Sequence, residues 1–197
     1  MNIINTRSWK KTLLNQFVLD DNGDVSLYVL FILGVVAGIM HVHLRWPLNI
    51  PGHHGVEWMA LLLFGRMQSN YRWSGLVIAG GAAMTYLIQV PFFPLAHTFK
   101  PALIYLLNGV CLDMLIRYTP VKLPVIIKGV ILGGVSYMAK PVLLMLMAMM
   151  LELKFGSFLK YGYYYPVLTH FLFGAVGGIT GITLASVITS RKKNQID

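Results

Sequence analysis

Charge, and negative charge above all, is what this chain has least of. Seven Asp and Glu stand against 16 Lys and Arg in 197 residues, and charged residues of both signs make up only 12%. A soluble globular domain carries about 25%, so an ordinary water-facing surface cannot be assembled from this composition. Cysteine is nearly missing too. The one thiol, Cys111, excludes an intramolecular disulfide, leaves the redox compartment open, and sits in a hydrophobic run as a small packing residue. A cleavable signal pattern is lacking: Arg7, Lys10 and Lys11 precede only a short mixed stretch, so no N-terminal removal is expected. The cluster Asp20-Asp21-Asn22-Gly23-Asp24 is not a calcium loop, because its sixth position is Val25 and its twelfth Phe31, where glycine and glutamate are needed. No internal or inverted repeat is visible, which counts against a self-sufficient carrier.

What is present is apolar length. Hydrophobic residues make up 56% of the chain, and several runs approach the roughly 20 residues that a helix needs to cross a bilayer. The expectation is an all-α, polytopic membrane protein with six transmembrane helices at 26–44, 56–67, 74–92, 101–118, 124–151 and 166–189. The first 25 residues form a cytoplasmic or interfacial segment, 26–189 the transmembrane domain, and 190–197 a basic tail. No soluble domain is expected, so any ATPase must be another chain. With the N-terminus inside, 11 cations (Arg7, Lys10, Lys11, Arg66, Arg72, Arg117, Lys122, Lys128, Arg191, Lys192, Lys193) are cytoplasmic and 4 (Arg45, Lys100, Lys154, Lys160) are outside. This is the positive-inside bias, and it places both termini in the cytoplasm of a cell (inner) membrane. The formal charge of +9 is therefore read as a topology signal and not as a nucleic-acid surface.

The same threading puts all six histidines, His41, His43, His53, His54, His97 and His170, in the outer half. Lys140 joins them. A cation within a span is unfavourable by roughly 2.5–3.5 kcal/mol on insertion scales and must find a partner or a wet cavity. Pro141 follows it and cannot donate to the Tyr137 carbonyl, so a bend and a freed acceptor are expected there. The first outer loop, 41–57, concentrates donors, acceptors and two prolines and reads as an ordered cap. Within it His53 and Glu57, four apart, are expected to share a helix face, so that the carboxylate orients the imidazole; His41 and Arg45 have the same spacing. His170 lies one turn after Pro166 and faces the outer cavity with the tyrosine cluster that includes Tyr165, while Asn108 and Gln89 are candidates for its lining or for interhelical hydrogen bonds. Asp113 is expected to pair with Arg117 one turn away, as a structural ion pair.

Gly34 and Gly38 on the first span have the spacing of helix contacts, either within the chain or with a partner subunit. With the stretch Pro47-Leu48-Asn49-Ile50-Pro51-Gly52-His53-His54-Gly55 and the following Leu62-Leu63-Phe64-Gly65-Arg66, the layout resembles the substrate-binding (S) component of energy-coupling factor transporters, biotin-type members in particular. That resemblance implies a coupling transmembrane subunit contacted through Gly34 and Gly38, partner ATPases, and an organic ligand capped by the first outer loop. The N-terminal Met-His metal sequence of cobalt- and nickel-type members has no counterpart in Met1-Asn2-Ile3.

The functional expectation is a substrate-capture subunit, not itself an enzyme, that binds a small, anionic, vitamin-like ligand from outside. Lys140 and Arg45 would hold the anionic group; His41, His43, His53, His54, His97, His170, Asn49 and Glu57 would give directional hydrogen bonds; Trp46, Trp58 and Tyr165 would cover an apolar body. No cofactor is required, although a transition metal or haem-like ligand is open to the imidazoles. The competing readings are a membrane-embedded metalloenzyme using His41, His53, His54, Glu57 and His170, and an assembly factor that docks another membrane protein.

Overall fold

A computed structural model describes residues 25–43, 50–89, 100–120, 122–151 and 160–193. Among them the chain is helical and without strands. The helices are α1 (Leu27–His43), α2 (Gly55–Met67), α3 (Ser74–Gln89), α4 (Lys100–Tyr118), α5 (Val125–Gly129), α6 (Ser136–Leu151) and α7 (Tyr164–Lys193). A π-helical stretch, Val130–Val135, joins α5 to α6 in one rod, so that six rods result. Each coincides with an apolar run expected from the sequence, and α7 continues four residues beyond the boundary drawn at 189.

The core is apolar, but polar side chains are buried within it and large apolar ones lie on the outside. Asn108, Asp113, Ser74, Ser136 and His170 are at most 5% exposed, whereas Leu103, Ile126, Met149, Leu168, Leu172, Val176 and Leu184 are at least half exposed. Leu168, Leu172, Val176 and Leu184 recur at multiples of four along α7, so they form one stripe on its outer face. Two rods, spanning Val125–Met150 and Tyr164–Ser190, are long and apolar enough to cross a membrane.

The short α2 lies at the centre. Its Trp58, Met59, Leu62 and Leu63 are at most 2% exposed and pack with Ile78, Ala79 and Ala82 of α3 and Leu112 of α4. Thirteen residues rise only about 20 Å, and that suffices because neighbours cover it. Small residues let the rods close on it and on one another. A Cβ on Gly34 or Gly38 would run into the α3 backbone at Ile78 and Ala82, and one on Gly133 would strike Gly174 and Gly178 of α7. The face of α1 carrying Gly34 and Gly38 is thus packed against α3, the within-chain alternative for that spacing.

The π stretch has a positional consequence. An extra residue in a helical turn rotates everything after it by about 100° relative to a regular helix. Tyr137 and Lys140 therefore face inwards on a register that a continuous α-helix from Val125 would not give. Pro141 is buried and lies within α6 without ending it.

One end of the bundle is locked by Asp113. The expected partner, Arg117, instead lies over the Trp73 ring at 4.4 Å. Asp113 bonds to Arg66, 47 residues away, whose Nε donates at 2.7 Å. The same carboxylate accepts the backbone N–H groups of Gly75 at 3.1 Å and Leu76 at 2.9 Å. These are orphan donors of the first turn of α3, so a side chain of α4 caps α3 and neutralises the last turn of α2. Arg66 completes the set by donating to the Ser69 carbonyl at 2.9 Å. The ion pair is structural, as expected, but between rods and not along one. Removing one partner of a buried pair leaves the other uncompensated, so Asp113→Ala is expected to cost roughly 3–5 kcal/mol, with Asp113→Asn less damaging because its amide oxygen still caps α3. Thermal unfolding in detergent checks this.

Candidate functional site

At the opposite end of α2 the chain turns before the helix starts. Gly52 adopts φ 85°, and the N–H of Gly55 donates to the Gly52 carbonyl at 2.8 Å. A side chain at Gly52 would be strained by the backbone and would also meet the His170 ring 2.8 Å away. The turn is thereby seated directly on α7. Gly55 packs equally closely on the Tyr137 ring, which stacks on His170 at 5.1 Å between centroids. Elements far apart in sequence meet in a single aromatic layer.

Four histidines gather there. The His41 and His54 rings are 4.5 Å apart and the His53 and His54 rings 4.0 Å. Tyr105 of α4 meets His41 edge-on at 5.5 Å and Trp58 at 4.8 Å. The pairing expected between His53 and Glu57 is corrected: His54 Nδ1 lies 2.7 Å from Glu57 Oε1, while His53 Nδ1 lies 2.8 Å from the Ile50 carbonyl. The reason is the start of α2. Because its first residue is Gly55, His54 is the N-cap and stands three residues from Glu57, whereas His53 is still in the turn and folds back.

Carbonyl and carboxylate oxygens only accept, so these contacts fix which nitrogen donates. His53 donates to Ile50 O, His54 to Glu57, and His170 to Pro166 O at 2.7 Å; in each, Nδ1 carries the hydrogen. Among the described residues His53 Nε2 and His170 Nε2 are buried without a partner, as are His41 Nδ1 and Tyr105 OH. Buried polar atoms of this kind lose the full desolvation free energy unless something binds them.

Beside this layer is a cavity of about 250 Å³ lined by Pro51, Gly52, Lys140, Pro141, Leu144, Pro166 and His170. Lys140 is within electrostatic reach of both His41 and His170, and among the described residues no carboxylate forms an ion pair with it.

The other expected site residues fall elsewhere. His43 is exposed at the end of α1, about 200° around the helix from His41. Tyr165 is 42% exposed and lines a separate apolar groove with Tyr164, Leu168 and Phe171. Arg45, Trp46, Asn49 and His97 lie outside the described residues. Trp58 is core, 2% exposed. Gln89 keeps a buried, unpartnered Oε1. Tyr105 and Tyr137 were not among the expected site residues. Each had a signal: Tyr105 follows Pro101 by four residues as His170 follows Pro166, and Tyr137 precedes Lys140 by three, on the same helix face.

Asn108 bolts this end together. With its amide turned to suit its neighbours, it donates to the Ser136 carbonyl at 3.0 Å and accepts from Trp58 Nε1 at 3.2 Å, linking α4, α6 and α2. Its interior position serves interhelical bonding and not the cavity wall. No protein-family model, curated protein or solved structure matches the chain. What is established is a class: a helical bundle with two helices apolar enough to cross a membrane and a polar cluster buried between its rods. Asn108→Leu strips partners from two buried groups and is expected to destabilise the fold by about 1–3 kcal/mol, read as an earlier unfolding midpoint in detergent.

Proposed function

We propose that this protein is a six-span membrane receptor, with both termini cytoplasmic, that captures a small anionic metabolite from the outer face and delivers it to a partner that moves it across. The layout is that of the capture component of an energy-coupling factor importer, with the energy supplied by separate coupling and ATPase chains. The bias of 11 inner against 4 outer cations supports the topology. The exposed apolar stripe on α7 supports placement in lipid.

The observation that carries the reading is Lys140, a cation that has no ion-pair partner among the described residues and lines a cavity between apolar rods. An ammonium held in low dielectric is stabilised by an anion, and the cavity beside it is where one fits. His170 refines the ligand. Its Nδ1 hydrogen is committed to Pro166, so its Nε2 accepts, and the ligand presents an O–H or N–H donor there together with its anionic group. The volume lies below the 300–1,000 Å³ typical of drug-sized sites. A compact hydroxy- or amino-carboxylate meets these conditions. Since α3 covers Gly34 and Gly38, a coupling subunit would dock on one of the exposed apolar faces.

Native mass spectrometry of the protein released from detergent tests the assignment. The wild-type chain is expected to carry a small-molecule adduct of anionic character. Lys140→Met is expected to lower its retention about 30-fold or more, the equivalent of roughly 2 kcal/mol for truncating one partner of a buried charge pair, while Lys140→Arg keeps part of it. An adduct that survives Lys140→Met unchanged, or a wild-type chain without any, contradicts the reading.

A further inference from the structure

The Lys140 cavity leaves a second group of side chains unexplained. His41 in the last turn of α1, His54 at the N-cap of α2 and Glu57 one turn into α2 bring three potential ligand atoms within 4.8 Å of one another. Two separate helices supply them, so the grouping is a product of tertiary packing and not of a local sequence run.

Packing alone does not call for such a group. Imidazoles that merely fill space are satisfied on both nitrogens or exposed, whereas here His41 Nδ1 is buried with nothing to bond and His53 Nε2, on the ring beside His54, is in the same condition. The His54–Glu57 contact at 2.7 Å already sets two of the three ligand groups side by side, with the His41 ring 4.5 Å from that of His54.

We infer that His41, His54 and Glu57 form a binding site for a divalent first-row transition ion, with His53 beside its remaining coordination position. Imidazole and carboxylate donors suit zinc and its neighbours and do not suit calcium or magnesium, which take oxygen ligands. Metal–ligand bonds of about 2.0–2.2 Å place tetrahedral ligand atoms roughly 3.3 Å apart, so loading draws the side chains together by about 1.5 Å. Rotation about χ angles at the end of α1 and in the turn before α2 supplies that movement without displacing a rod. The site goes beyond the anion cavity and does not depend on it: Lys140→Met removes the anion contact and leaves all three side chains in place.

The electrostatics add a signature. Lys140 lies within reach of His41, and among the described residues Glu57 is the one carboxylate grouped with these histidines. Relieving Lys140 of its charge therefore tightens metal binding when no anion is present. A structural role for the histidines would not produce that effect.

The test uses the full chain in detergent, purified through an affinity tag without histidine and stripped with a chelator. Zn2+ is titrated in competition with a chromophoric chelator, and Co2+ is used as a spectroscopic probe. One equivalent of Zn2+ is expected, with visible Co2+ bands as intense as low-coordinate geometry gives. Glu57→Gln is expected to weaken Zn2+ binding about 10–100-fold, and His41→Ala with His54→Ala at least about 100-fold; His43→Ala, on the exposed end of α1, leaves it unchanged, and Lys140→Met tightens it. Binding that persists in the double variant, or a wild-type Co2+ spectrum no stronger than that of the hexaaquo ion, overturns the inference. The Co2+ spectrum needs no variant, so it decides the matter even where the double variant does not fold. Loss of the small-molecule adduct with retained Zn2+ binding separates failure of the anion reading from failure of this one.

Discussion

Polar groups buried between apolar rods must find partners inside the bundle, and the two ends of α2 meet that constraint in opposite ways. At one end the Asp113 carboxylate takes three donors, from Arg66, Gly75 and Leu76. That network is closed: it joins three rods and leaves the carboxylate no further ligand to seek. At the other end His53 and His170 each use one nitrogen and keep the second bare, and His41 Nδ1 and Tyr105 OH are also bare. A closed network holds a fold. An open one, beside a cavity and a cation, is poised to hold something else.

The closed end gives the open end its shape. With α2 pinned at Arg66 and bolted through Trp58 to Asn108, the turn at Gly52 has little freedom to drift from α7. Gly52 and Gly55 bring their backbones against His170 and Tyr137, contacts that a Cβ would forbid. The π stretch then sets the face on which Tyr137 and Lys140 emerge. Four independent pieces of geometry, each traceable to named residues, converge on one layer of rings.

Much of this was legible in the sequence, and the exceptions are instructive. The rods follow from apolar runs punctuated by proline and glycine, and the structure groups the rings of His41, His53 and His54 and sets His170 beside Lys140. The pairings inside the cluster were not legible. Whether His53 or His54 reaches Glu57 depends on the residue at which α2 begins, and a shift of one residue turns a side chain by about 100°. Asp113 has an arginine one turn away and another 47 residues away; only the packing of α2 against α4 selects the second. The π stretch carries no distinctive residue pattern beyond Gly129, Gly133 and Gly134, so the facing of Lys140 could not be fixed from periodicity. Gly34 and Gly38 have the spacing of a helix contact, but spacing does not tell an internal neighbour from an external one.

The central claim is that the cavity beside Lys140 and His170 opens to the outer aqueous phase, and chemical access tests it most directly. In a Cys111→Ser background, a cysteine replacing the cavity-lining Leu144 is exposed to a membrane-impermeant thiol reagent added outside intact cells, with a cysteine at Leu184, on the exposed apolar stripe of α7, as the control. The account predicts modification at position 144 from outside, slowed by anions, and none at 184. A cysteine at 144 that stays unmodified, or reacts only once the cytoplasmic side is opened, would contradict it.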